Sequence, residues 1–306
     1  MEEYLLVTKD LTKTYKEITA ADRVNIHIKR GSIYGLIGKN GAGKTTIMKM
    51  IAGLARPTSG SFDYTGFNCT QNEAFSRIGA LIEAPAIEPN LTGFDNMRIK
   101  CLAYGIGDKQ YINDLLDLVG LSGTWKKKAG KYSLGQKQRL GIALALVGDP
   151  DFLILDEPIN GLDPQGIAEV REMLHKLNQE RKITILISSH ILEELSKLAT
   201  DYAIIDNGRI IEESTNKELK EKCRDKIAIK TGEVAKALPV IDGLGFKDYS
   251  VVNDKTIHVF DKLSEITVLN MELAKAQIPV ESIGIESSDL EEYFLKVTGT
   301  IPGERR

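Results

Sequence analysis

The sequence predicts an α/β fold: a core with a mainly parallel sheet, an N-terminal antiparallel β subdomain, an inserted helical subdomain and a C-terminal α+β accessory domain. Three observations carry that expectation. The apolar runs at 33–37, 152–155 and 183–188 alternate with segments of helical spacing, the pattern of buried parallel strands joined by crossovers. A glycine-rich octapeptide, residues 38–45, lies between the first of these runs and a helical segment. From Asp225 onward, shorter strand and helix patterns replace the long buried runs.

Taken in order, Tyr4–Val7 reads as a short strand and Val24–Ile28 alternates apolar and polar as a half-buried strand does. Ile33–Ile37 is almost continuously apolar and drops into a turn at Gly38. The run from Thr45 to Ala55 has helical spacing and should stop before Arg56-Pro57. Residues 86–148 are mainly helical in pattern, with Thr92 suited to cap one helix and YINDLLDLVGL carrying an apolar stripe. FLILD at 152–156 and ITILIS at 183–188 are buried-strand patterns separated by a helix over 166–178. After residue 225 the order is strand, helix, strand, strand, helix, strand, that of a ferredoxin-like split βαβ unit, and DLEEYFLKVTG adds a last helix. The charged, poorly periodic ESTNKELKEKCRDK places the domain boundary within 213–225, giving domains 1–215 and 216–306; the same segment also fits one exposed helix.

A chain of 306 residues has room for one large or two medium domains. Its formal net charge of −3 argues against a dedicated nucleic-acid binder, which would carry a strongly basic face. Cys69, Cys101 and Cys223 form no CxxC pair and read as thiols in a reducing compartment. No apolar stretch has the roughly 20 residues of a membrane-spanning helix. The start MEEYLLVTKD places acids where a signal peptide carries positive charge. The expected location is cytoplasmic, with any membrane role peripheral.

Gly38-Lys39-Asn40-Gly41-Ala42-Gly43-Lys44-Thr45 has the spacing G-x-x-x-x-G-K-[ST] in a strand–loop–helix context. Such a loop turns successive backbone N–H groups inward, and the following helix, which continues through Thr46, adds its positive end. Lys44 would reach the β- and γ-phosphates of ATP or GTP, and the Thr45 hydroxyl would join a Mg²⁺ shell. This is the phosphate loop of a P-loop NTPase core. Asp156 and Glu157 end the apolar strand at 152–155, so both carboxylates should enter the crevice where phosphate sits. Asp156 suits Mg²⁺, directly or through water, and Glu157 suits a hydrogen bond from the attacking water. His190 follows another sheet strand and is aimed at the same crevice, where it would hold the γ-phosphate and water in register.

With these residues in place, residues 4–215 resemble the ATP-binding subunit of ABC transporters. Tyr132-Ser133-Leu134-Gly135-Gln136 is similar to that family's signature loop, Gly161-Leu162-Asp163 to its D-loop, His190 to its switch histidine and Tyr15 to its adenine-stacking aromatic. The resemblance implies that Ser133, Gly135, Gln136 and Asp163 complete the ATP site of a second subunit, the same chain or a paralogue. It also implies integral-membrane permease partners and no nucleic acid, with the chain on the inner face of the membrane. Two positions depart from the family pattern. Leu134 replaces a glycine. Glu83 stands where a glutamine normally touches Mg²⁺; its carboxylate either joins the metal shell or is a solvated loop acid. Glu83, the YSLGQKQRL run and the ending DLEEYFLKVTG together resemble the exporters that confer bacitracin resistance or lantibiotic immunity. Lys126-Lys127-Lys128 reads as a solvated face or a contact with anionic lipid or permease. The rival reading is a soluble ABC-type ATPase acting on nucleic acid, the ribosome or iron–sulfur assembly.

Overall fold

The computed structural model describes residues 4–67, 70–286 and 290–299, so Cys69 lies outside the described residues. The chain divides into two compact units, Met1–Asn216 and Lys217–Arg306.

The first unit opens with β1 (Tyr4–Tyr15), β2 (Ile18–Val24) and β3 (His27–Lys29), then β4 (Ile33–Ile37) and α1 (Lys44–Ile51). β5 (Ser59–Asp63), α2 (Gln71–Phe75) and β6 (Ile78–Leu81) lead into α3 (Gly93–Ala103), α4 (Lys109–Leu118) and α5 (Leu134–Ala145). β7 (Phe152–Leu155), α6 (Pro164–Arg181), β8 (Thr184–Ser189), α7 (Leu192–Ser196), β9 (Asp201–Asp206) and β10 (Arg209–Thr215) follow, with α8 (Asn216–Lys222) at the unit boundary.

β4, β7 and β8 are buried at every residue, as strands covered on both faces must be. They lie in a six-stranded sheet of order β10-β9-β4-β8-β7-β6, parallel except for β10. The register pairs Ile37 with Ser189 and Leu155 with Ile187, so the carboxyl ends of β4, β8 and β7 reach one edge together. That edge is where such sheets hold ligands.

The first strand pair differs from the sequence expectation. β1 runs eight residues past Val7 and pairs with β2, β3 and β5. The expected single strand at 24–28 is split, because Asn25 turns its amide to Asp10 (3.1 Å) and the Arg23 carbonyl (3.0 Å) between β2 and β3. Helix α1 also ends earlier than the apolar spacing implied. Gly53 takes a φ of +74°, Leu54 N–H bonds the Lys49 carbonyl at 2.8 Å and Gly53 N–H bonds that of Met50 at 3.1 Å. This paired closure stops the helix before Ala55.

In the helical insertion the buried Asn96 side chain accepts from Glu88 N–H (2.8 Å) and donates to the carbonyls of Glu88 (3.1 Å) and Thr92 (2.9 Å). A fully satisfied buried amide of this kind fixes the loop that enters α3.

The second unit consists of β11 (Lys226–Thr231), α9 (Val234–Gly243), β12 (Tyr249–Asn253), β13 (Thr256–Val259), α10 (Ile266–Lys275), β14 (Val280–Glu286) and α11 (Leu290–Val297). Its antiparallel sheet has the order β12-β13-β11-β14, the ferredoxin-like arrangement expected from the sequence. Ile227, Ile229, Ile257 and Val259 on the sheet pack with Ala237, Ile241, Leu269 and Leu273 from the helices, a core separate from that of the first unit.

Candidate functional site

The loop after β4 curls because its glycines allow it to. Gly43 has φ +107°, and a β-carbon there would collide with the Ala20 carbonyl oxygen of β2. Ala42 and Gly208 join backbones at 2.9 Å, so the β9–β10 hairpin braces the loop from behind. Lys39, Asn40 and Gly41 remain exposed at its rim, while Lys44 is 5% exposed.

Lys44 Nζ donates to the carbonyls of Gly38 (2.6 Å) and Lys39 (3.1 Å) and pairs with Glu157 Oε1 at 3.1 Å. The other Glu157 oxygen meets His190 Nδ1 at 2.8 Å. One carboxylate is therefore held between an ammonium from the β4 edge and an imidazole from the β8 edge. Glu157 itself sits at φ +49°, a left-handed conformation that costs a non-glycine residue about 1 kcal/mol or more. Its N–H is held by Ser188 Oγ at 2.8 Å.

Thr45 Oγ1 donates to Asp156 Oδ2 at 2.7 Å, and Ser188 Oγ donates to Asp156 Oδ1 at 2.6 Å. The structure thus brings five candidates, Lys44, Thr45, Asp156, Glu157 and His190, into one connected network. Ser188 is a sixth member that the sequence reading did not single out. Its signal was present as a polar residue closing an apolar strand two positions before His190.

Glu83 is seated elsewhere. Its carboxylate is 64% exposed and takes Lys49 Nζ at 2.6 Å, outside the hydrogen-bonded network of Thr45 and Asp156. Tyr15 ends β1 at 47% exposure with the Lys13 ammonium 4.9 Å from its ring centroid, an open aromatic face but not one joined to the network.

The second cluster lies on the insertion. Ser133 caps α5: its Oγ accepts from Gln136 N–H at 3.3 Å, and Gln136 Oε1 accepts from Ser133 N–H at 3.2 Å. Buried Tyr132 anchors this helix start by donating to the Thr124 carbonyl at 2.9 Å, and burial pushes its hydroxyl pKa up. Asp163 caps α6 by accepting from Gly166 N–H at 3.1 Å. Between the two helix starts lies a cavity of about 390 Å³ walled by Ser133, Gly135, Arg139, Leu162 and Asp163. Leu134 is half-exposed there, and a β-carbon on Gly161 would meet its Cδ2 at 3.1 Å. The extra side chain at this position therefore rests on the loop before α6.

A groove of about 410 Å³ runs beside the end of β6, walled by Leu54, Leu81, Pro85, Ile99, Ala103 and Leu144. Leu54 and Ile99 are 66% and 57% exposed. Among the described residues no helix is long and apolar enough to cross a membrane.

Comparison with known proteins places this geometry. Residues 21–160 match the ABC transporter family model. The chain is 42% identical over 298 residues to the bacitracin transport ATP-binding protein of Bacillus licheniformis, covering 96% of this chain and 97% of that one. It is 44% identical over 207 residues to the lantibiotic transport ATP-binding protein of Streptococcus pyogenes, covering 68% of this chain and 89% of that one. A dimeric ATP-binding cassette in a post-hydrolysis state, bound to ADP and phosphate, superposes with TM-score 0.62 at 25% identity over 69% of this chain and 98% of its own. The chain belongs to the ABC transporter family, as an ATP-binding subunit that hydrolyses ATP.

Proposed function

We propose that this ATPase subunit drives export of a peptide antibiotic of bacitracin or lantibiotic type, working as a pair of copies on the inner face of the membrane beneath separate permease subunits. The substrate class rests on the two relatives whose names carry bacitracin and lantibiotic transport. The paired arrangement rests on one observation: the cavity beside Ser133 and Gly135 has no residue of the 38–45 loop on its walls. A capped helix start with outward N–H groups attracts anions. A second copy, or a paralogous subunit, would bring its own phosphate loop to that cavity, and two-fold symmetry would form two such sites at once.

In this reading ATP lies in the 38–45 loop with Tyr15 against its base. Lys44 turns from Glu157 to the β- and γ-phosphates, which frees Glu157 Oε1 to accept a proton from the attacking water. His190 keeps the carboxylate oriented through the other oxygen. Thr45 and Asp156 are hard oxygen donors 2.7 Å apart at the foot of the loop, a pair that fits Mg²⁺. That ion, once bound, would neutralise charge on the phosphate oxygens.

The apolar groove beside β6 is the surface we assign to a permease segment, because its exposed leucine and isoleucine belong to a chain that has no membrane-spanning helix among its described residues. Two measurements test the proposal. Affinity capture from detergent-solubilised membranes should recover polytopic membrane proteins, and loss of the chain should sensitise its cell to a peptide antibiotic. Recovery of ribosomes or nucleic acid alone would favour the soluble rival. Ser133→Ala tests the paired site. It should cost about 1 kcal/mol of stability as a lost cap and abolish ATP-dependent dimerisation in sedimentation velocity, while monomer ATP affinity stays within twofold.

A further inference from the structure

We propose that Lys49 is a positioning residue for Glu83, parking its carboxylate one helical turn from Thr45 and masking its charge until nucleotide and metal arrive. The inference rests on the reading of residues 38–45 as the ATP site. Lys49 and Thr45 are four apart on α1, so they share one face of the helix at about 6 Å between β-carbons. Glu83 meets Lys49 at 2.6 Å, and the two side chains are 64% and 31% exposed. An exposed pair of this kind adds little to folding stability, so stability alone does not account for it.

The backbone around the pair supports a positioning role. Glu83 is held at φ +65°, a strained conformation for a glutamate. It lies two residues beyond Leu81, whose carbonyl accepts from Asp156 N–H at 2.8 Å. Ile82 and Ala84 on either side of it, and Leu54 beyond Lys49, all wall the apolar groove. The ion pair therefore closes a link between the end of the phosphate-loop helix and the groove loop. A neutral amide at position 83 would need no such counter-cation. A carboxylate there does, because it would otherwise repel a triphosphate approaching the next turn of the helix.

Two consequences of opposite sign follow for Lys49→Met. Without metal, the loss of the Lys49 cation, which leaves the Glu83 charge uncompensated, should weaken ATP binding by about fivefold. With ATP present, the freed carboxylate is available beside Thr45, and the Mg²⁺ concentration for half-maximal binding should fall by about fivefold.

The experiment uses the full chain as four proteins: parent, Lys49→Met, Glu83→Gln and the double variant. ATP affinity is measured by calorimetry in EDTA, and then Mg²⁺ is titrated into the ATP complex. The Mg²⁺ shift is expected in the parent background and not in the Glu83→Gln background, where only the loss of the Lys49 charge itself weakens ATP binding, and Lys49→Arg should restore parent values. A Mg²⁺ shift that persists when residue 83 is glutamine would overturn the proposal, as would the absence of that shift in the parent background. Thermal melts of all variants within about 2 °C of the parent exclude a folding cause. Failure of the parent chain to bind ATP at all would refute the underlying site instead, and the two failures are distinguishable.

Discussion

Glu157→Gln is expected to slow ATP hydrolysis at least about a hundredfold while leaving ATP affinity within about threefold of the parent. The glutamine keeps the size and planarity of the glutamate, so the strained backbone at φ +49° and the N–H bond to Ser188 are retained. What it loses is basicity. One carboxylate oxygen now faces Lys44 at 3.1 Å and the other His190 at 2.8 Å. An amide supplies an oxygen to one of these neighbours but cannot take a proton from water, and general-base assistance is worth roughly 10² to 10⁴ in rate. ATP should therefore bind, draw two copies together and remain unhydrolysed. Steady-state turnover, nucleotide affinity and sedimentation in ATP check the three parts separately. Turnover within threefold of the parent would remove Glu157 from the role of base. His190→Ala gives the contrast: it leaves the base in place but unoriented, so hydrolysis should fall by a smaller factor than in Glu157→Gln.

The network around Glu157 was legible because its members punctuate apolar strands. Lys44, Asp156 and His190 each follow a short apolar run bounded by turn or polar residues, the pattern of a buried strand, and adjacent parallel strands deliver their ends to one edge. The ferredoxin-like unit was legible from the order of its short apolar segments, with strict alternation only in β13, where Ile257 and Val259 face the core. Surface strands were less readable. β5, Ser59–Asp63, is mostly exposed and polar, and only its pairing with β1 makes it a strand. The split between β2 and β3 depends on Asn25 reaching Asp10, a contact fifteen residues distant that no local pattern announces. The resting place of Glu83 was hidden in the same way, because its partner Lys49 lies 34 residues away. Ser188 was visible as a residue but not as a bridge, since its role depends on the sheet register that sets β8 beside β7.

Lys44→Met should weaken ATP binding by roughly a hundredfold or more, on top of a cost to folding of a few kcal/mol. Lys44 is 5% exposed, and its ammonium is spent on two carbonyls of its own loop and on Glu157. Methionine fills the same slot with an unbranched chain, so no cavity opens. The carbonyls of Gly38 and Lys39 lose a donor, which costs about 1–3 kcal/mol if no water replaces it. Removing the ammonium also leaves Glu157 Oε1, a buried atom with no hydrogen bond of its own, without its counter-charge, which adds to the cost in stability. Each charge-assisted bond from the lysine to a phosphate oxygen is worth about 1.5–3 kcal/mol, and two of them correspond to at least about a hundredfold in dissociation constant. The nucleotide series separates this from general damage to the loop. Because Lys44 would reach both β- and γ-phosphates, ADP should lose less affinity than ATP, and AMP almost none. An equal loss for all three would mean that the loop had collapsed, and an ATP affinity within twofold of the parent would take Lys44 out of the phosphate site.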